Sequence, residues 1–85
     1  MSLPLSAEIS LYPLAAEYRS VIQGFVDRLA SYDDIRVNTN TMSTQIFGDF
    51  RRVMQVLTDE LEVLYQQAPS QVLVCKFINR DLRPE

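Results

Sequence analysis

The chain has 85 residues, 47% of them hydrophobic and 22% charged, with a formal net charge of −3 and a sequence pI of about 4.8. Such a length makes a single domain, 1–85, whose thin margin of stability would gain from sharing a face with another subunit. The acidic balance disfavours nucleic acid as a partner. No apolar run approaches the roughly 18–20 residues that a membrane helix needs, so no membrane insertion is expected.

There is no histidine, and Cys75 is the one cysteine. Ordinary zinc sites, Ser–His and Cys–His catalysis and an internal disulfide are thereby excluded. A lone thiol suits a reducing compartment, and the N-terminus lacks the basic and apolar regions of a signal peptide, so the expected location is cytoplasmic. Disorder is expected only at the ends, Met1–Pro4 and roughly Arg80–Glu85.

From Leu5 to Tyr12 apolar and polar residues alternate, the period of a half-buried strand, and Pro13 ends it. Between Ala15 and Tyr32 the period changes to that of a helix, with Tyr18, Val21, Ile22, Phe25, Val26 and Leu29 on one face and Gly24 inside it. Asp33-Asp34 marks a turn. Two short alternating runs follow, Ile35–Thr39 and Met42–Phe47. A two-residue turn at Asn40-Thr41 sets Thr39 opposite Met42, Val37 opposite Thr44 and Ile35 opposite Ile46; a longer loop stays open, since Thr41 adopts positive φ poorly.

Asp49 is a reasonable N-cap for a second helix, whose apolar stripe reads Phe50, Val53, Met54, Leu57, Leu61, Leu64 and Tyr65. Ala68-Pro69-Ser70 stops it. Gln71–Ile78 is a final strand, apolar enough on both sides to suggest burial on both.

Strand, helix, hairpin, helix, strand is the βαββαβ order of an α+β, ferredoxin-like sandwich, with an antiparallel sheet ordered 4-1-3-2 and two helices on one face. The other face then carries Glu8, Ser10, Tyr12, Arg36, Asn38, Ser43, Gln45 and Phe47. The last strand adds either Val72, Val74 and Lys76 or Leu73, Cys75 and Phe77. The first set is favoured, because it keeps Lys76 out of the core. Tyr12, Phe47 and the valines are too apolar for a wet surface, so another subunit is expected to cover part of this face.

Candidate chemistry gathers at two places. Asn38 to Gln45 is dense in amides and hydroxyls, which serve either a polar turn or the orientation of a small ligand. Glu8 stands in a central strand, where it pairs with Lys76 or recognises a donor or cation on a ligand. Tyr12 and Phe47 offer aromatic faces for stacking or for interface packing. Arg51 and Arg52, in the first turn of the second helix, give a weak indication of an anion site. Cys75 reads as a small core residue. No acidic pair has catalytic spacing and no phosphate loop is present, so the chain is not expected to be an enzyme.

Two segments, Ala7-Glu8-Ile9-Ser10-Leu11-Tyr12-Pro13-Leu14 and Asn40-Thr41-Met42-Ser43-Thr44-Gln45-Ile46-Phe47-Gly48, resemble the YkoF-like thiamine/hydroxymethylpyrimidine-binding family, and Val72-Leu73-Val74-Cys75-Lys76-Phe77 fits it too. The resemblance spans essentially the whole chain. It implies a ferredoxin-like domain in a homodimer or homotetramer that binds thiamine or a related pyrimidine as a ligand, with no cofactor.

Carried onto this sequence, the implied ligand-binding positions are Glu8, Ser10 and Tyr12 with Asn40, Met42, Ser43, Thr44 and Gln45. Phe47 joins them as an alternative stacking partner to Tyr12. Glu8 would accept from the aminopyrimidine or balance the positive ring. The rival reading is an oligomerising or regulatory, ACT-like domain for another small ligand or a protein partner. Against it, the Tyr12-Pro13-Leu14-Ala15-Ala16 loop lacks the glycine common in ACT ligand loops. An RNA-recognition module shares the topology, but the aromatic and basic signature is missing from the central strands.

Overall fold

Alternation carries the first strand, β1 (Pro4–Pro13), with Leu5, Ala7 and Ile9 buried on one side. The computed structural model describes residues 3–14, 16–40, 43–67 and 70–84. Helix α1 (Tyr18–Ala30) follows, then β2 (Arg36–Thr39), β3 (Thr44–Asp49), helix α2 (Phe50–Gln67) and β4 (Gln71–Ile78). The four strands form one antiparallel sheet in the order β2-β3-β1-β4, which is the ferredoxin-like arrangement.

Phe25 and Leu29 of α1 and Val53, Val56, Leu57 and Leu64 of α2 pack on Leu5, Ala7, Ile9 and Ile46 in one apolar core. Fully burying such a side chain is worth about 1.5–3 kcal/mol. The opposite face of the sheet carries no helix. The register places Glu8, Ser10, Tyr12, Gln45, Phe47, Arg36 and Asn38 there, with Val72, Val74 and Lys76 from β4. The favoured side of the last strand is therefore the observed one.

Three expectations change, and the hairpin takes the longer of its two open connections. The hairpin pairs Thr39 with Thr44, Val37 with Ile46 and Arg36 with Phe47, so Thr39–Thr44 is the last pair before the connection, in which Thr41 and Met42 lie outside the described residues. Asn40 closes it: its N–H donates to Ser43 O and its Oδ1 accepts from Ser43 N–H, both at 3.0 Å. Relative to the two-residue turn this is a slip of two positions, which keeps every side chain on its expected face.

The stripe that α2 buries is Val53, Val56, Leu57, Glu60 and Leu64, while Phe50, Met54 and Tyr65 remain substantially exposed. Glu60, only 8% exposed, is compatible with that position because Arg28 Nε donates to its Oε1 at 2.7 Å and Tyr32 Oη donates to its Oε2 at 2.6 Å. Apolar counting alone selects the neighbouring stripe.

Strand β4 is not buried on both sides. It is an edge strand whose Leu73 and Cys75 are partly buried against the core, while Val72, Val74, Phe77 and Ile78 are exposed. Finally, the described parts of the ends expected to fray, from Leu3 and up to Pro84, are held, while Met1, Ser2 and Glu85 lie outside the described residues. Pro4 opens β1, and the segment after β4 lies across the sheet: Ser6 Oγ donates to Arg80 O at 2.7 Å and accepts from Leu82 N–H at 2.9 Å, while Arg36 Nη1 donates to Pro84 O at 2.9 Å.

Asp49 does cap α2, accepting from Arg52 N–H at 3.3 Å. Arg52 is tied to Asp34 through its Nε and lies 5.3 Å from the Tyr32 ring centroid, which accounts for its charge within the fold. No helix among the described residues is long and apolar enough to cross a membrane.

Candidate functional site

Strand β3 leaves β1 after the Ile9–Thr44 pair, whereas β1 continues along β4 to Pro13. The departure opens a notch between the end of β1, the start of α1 and the hairpin loop. A cavity of about 480 Å³ fills it. Ile9, Leu11, Ile22 and Phe25 line its apolar interior, Tyr12 and Tyr18 add aromatic walls, and Ser10, Thr39, Asn40, Ser43 and Thr44 give it hydroxyl and amide groups.

A cavity with mostly apolar walls and a few placed polar groups is the usual make-up of a site for a flat organic ligand. Five of the expected positions meet here: Ser10, Tyr12, Asn40, Ser43 and Thr44. Met42 lies outside the described residues.

Glu8, Gln45 and Phe47 stand elsewhere. They line a second cavity of about 430 Å³ on the open sheet face, with Ser6, Lys76, Ile78 and Leu82. The expected residues thus divide between two cavities. In part this is the strand period, which turns Thr44 toward the helices and Gln45 and Phe47 away from them. Phe47 is only 3% exposed, because the segment from Arg80 to Pro84 passes over its row of the sheet.

One contact joins the two cavities. Ser43 Oγ donates to Glu8 Oε2 at 3.1 Å, and Lys76 Nζ sits 3.5 Å from Glu8 Oε1. The side chains of Glu8 and Lys76 are 41% and 77% exposed, so their attraction is screened and weak.

Among the described residues no cluster of three or more His, Cys, Asp or Glu side chains is built to hold a metal ion. Cys75 is half-buried on the helix side, and burial pushes its thiol above the ordinary range, which lowers its reactivity at neutral pH. The sequence reading missed Tyr18 and Leu14 as cavity residues. Tyr18 resembles any other member of the apolar helix stripe, but it is the first residue of α1 and lines the notch.

The architecture is that of a ferredoxin-like α+β sandwich. The sequence matches no protein-family model and no curated protein. Among solved structures, protein SP2199 from Streptococcus pneumoniae superposes with a TM-score of 0.84 at 21% identity, covering 94% of this chain and 90% of that one.

A Thermotoga maritima protein, TM0486, assigned provisionally to thiamine biosynthesis or salvage, matches with a TM-score of 0.78 at 20% identity, covering 94% and 84% of the two chains. A domain of unknown function, DUF77, from Bacillus cereus matches with a TM-score of 0.77 at 18% identity, covering 96% and 81%. At these identities the similarity establishes the fold.

Proposed function

We propose that this chain is a non-catalytic cytoplasmic binding protein for thiamine or its hydroxymethylpyrimidine part, working as a homo-oligomer. The observation that carries the reading is the notch cavity, where Ser10, Tyr12, Asn40, Ser43 and Thr44 surround an apolar interior. An aminopyrimidine is flat, fits between aromatic and aliphatic walls, and needs both donors and acceptors at its edge. The amide of Asn40 and the hydroxyls of Ser43, Thr44 and Thr39 supply them. Glu8, one hydrogen bond behind Ser43, supplies the negative charge that suits a thiazolium ring, and the net charge of −3 favours approach of a cation. The name given to the Thermotoga maritima protein points the same way.

Isothermal titration with thiamine, hydroxymethylpyrimidine and a panel of free amino acids tests the reading. Saturable binding of thiamine or the pyrimidine is expected, with no response to amino acids. Ser43→Ala removes one orienting hydrogen bond and should weaken binding about fivefold to tenfold. Glu8→Gln should weaken thiamine more than the neutral pyrimidine. Unchanged thiamine affinity in Glu8→Gln removes the carboxylate from the site, and a response to amino acids alone replaces the reading with a regulatory module.

A further inference from the structure

Residues 79–84 wall the open-face cavity rather than hang beside it. Ser6 Oγ grips this strap on both sides of Asp81, donating to Arg80 O and accepting from Leu82 N–H, and Ser6 itself is only 5% exposed. That grip sets Leu82 at the cavity, where Phe47, Glu8 and Gln45 also meet. Leu82 is 54% exposed, so it has apolar surface left for a ligand to cover.

The strand period places this cavity one step from the notch. Ser6, Glu8 and Ser10 follow one another on one face of β1, and each step of two residues advances about 7 Å. Ser6 and Glu8 line the open-face cavity, and Ser10 lines the notch. Ser43, a notch residue, donates to Glu8 across the boundary at 3.1 Å. The two cavities differ in charge. The described residues that line the notch are all uncharged, whereas the open-face cavity holds the Glu8 carboxylate close to an aromatic side chain, Phe47.

We propose that the two cavities are halves of one site for a ligand of two linked rings, a neutral hydrogen-bonding ring in the notch and a cationic ring beside Glu8, walled by Leu82. This rests on the notch reading and deepens it, since whole thiamine is then selected over its pyrimidine half. A single carbon joins thiamine's rings, which suits two cavities one strand step apart. Phe47 and Leu82 give the second ring apolar contact, and Glu8 gives it a counter-charge. Lys76 Nζ, 3.5 Å from Glu8 Oε1, competes with that ring for the carboxylate. Ser6 is a positioning residue, acting through the Leu82 it holds.

Calorimetric titration of the full chain with thiamine, hydroxymethylpyrimidine and the neutral thiophene analogue of thiamine tests this. Leu82→Ala, Ser6→Ala and Lys76→Gln are titrated alongside, each checked for folding by circular dichroism. In the full chain thiamine should bind about tenfold tighter than hydroxymethylpyrimidine, with the thiophene analogue between them. Leu82→Ala and Ser6→Ala should each lower that ratio roughly fivefold. Lys76→Gln should raise it about threefold. Equal affinity for thiamine and hydroxymethylpyrimidine overturns the joined site and leaves the notch as a pyrimidine site. Binding of neither removes the notch reading and the joined site together. An unchanged ratio in Leu82→Ala overturns the strap's place in the site. A thiophene analogue that binds as tightly as thiamine overturns the part given to Glu8.

Discussion

At Glu60 a carboxylate is kept between two helices only because both of its oxygens are occupied, by Arg28 Nε and Tyr32 Oη. A buried charge without partners costs several kcal/mol, so the three side chains act as a unit. The hydrogen bond to Glu60, then burial and the nearby carboxylates, raise the Tyr32 hydroxyl above its ordinary pKa. The folded state therefore holds this proton more tightly than the unfolded chain does. Its stabilisation is complete below pH 10, the unfolded value, and is lost as pH rises through the higher folded value. The melting temperature should stay flat from about pH 7 to 9 and fall above about pH 10. Tyr32→Phe should lower it at pH 8, by the loss of a charge-assisted bond worth about 1.5–3 kcal/mol, and should flatten the alkaline fall. An alkaline fall of the same size in Tyr32→Phe would assign it to other groups.

The elements themselves were legible to the degree that period alone decides them. Gln71–Ile78 is found as expected, and the faces of β1 and of the hairpin agree with the alternation of their residues. Hairpin register was not legible, because a slip of two positions leaves every face unchanged, and only the Asn40–Ser43 closure selects the longer loop. The buried stripe of α2 was hidden by Glu60, whose burial depends on Arg28 of α1 and on Tyr32 just beyond that helix.

The two glycines show the same division between local and tertiary causes. A Cβ at Gly24 meets only Arg28 Nη1 at 3.4 Å, the far end of a flexible side chain. Gly24→Ala should therefore stabilise by about 0.5–1 kcal/mol, the helix-propensity gain. A Cβ at Gly48 meets Ile35 Cγ2 at 3.1 Å and Val53 Cγ2 at 3.2 Å, both core side chains. Gly48→Ala should destabilise by about 1–3 kcal/mol through overpacking. Urea denaturation of the two variants checks both signs, and a stabilised Gly48→Ala would mean that the core around Ile35 gives way more easily than its spacing implies.

Over the whole molecule, the candidate site shows where a sequence reading stops. Residue types and strand faces placed Glu8, Gln45 and Phe47 together, and the sheet does bring them into one cavity. The separation of Ser10, Tyr12, Asn40, Ser43 and Thr44 into another cavity follows from the point where β3 parts from β1, a tertiary feature with no local signature. The covering of Phe47 likewise comes from a segment that local composition marks as a loose end. A domain of 85 residues has little stability to spare, and that makes ligand binding readable in its unfolding. Thiamine at a hundred times its dissociation constant adds about 2.7 kcal/mol to the folded state if the unfolded chain does not bind it. In a domain of this size the melting temperature should rise on the order of 10–20 °C. Choline at the same concentration, a cation without the aminopyrimidine, should leave it unchanged. A flat response to thiamine contradicts the proposed ligand, and an equal rise with choline means that charge rather than the heterocycle is what the cavity recognises.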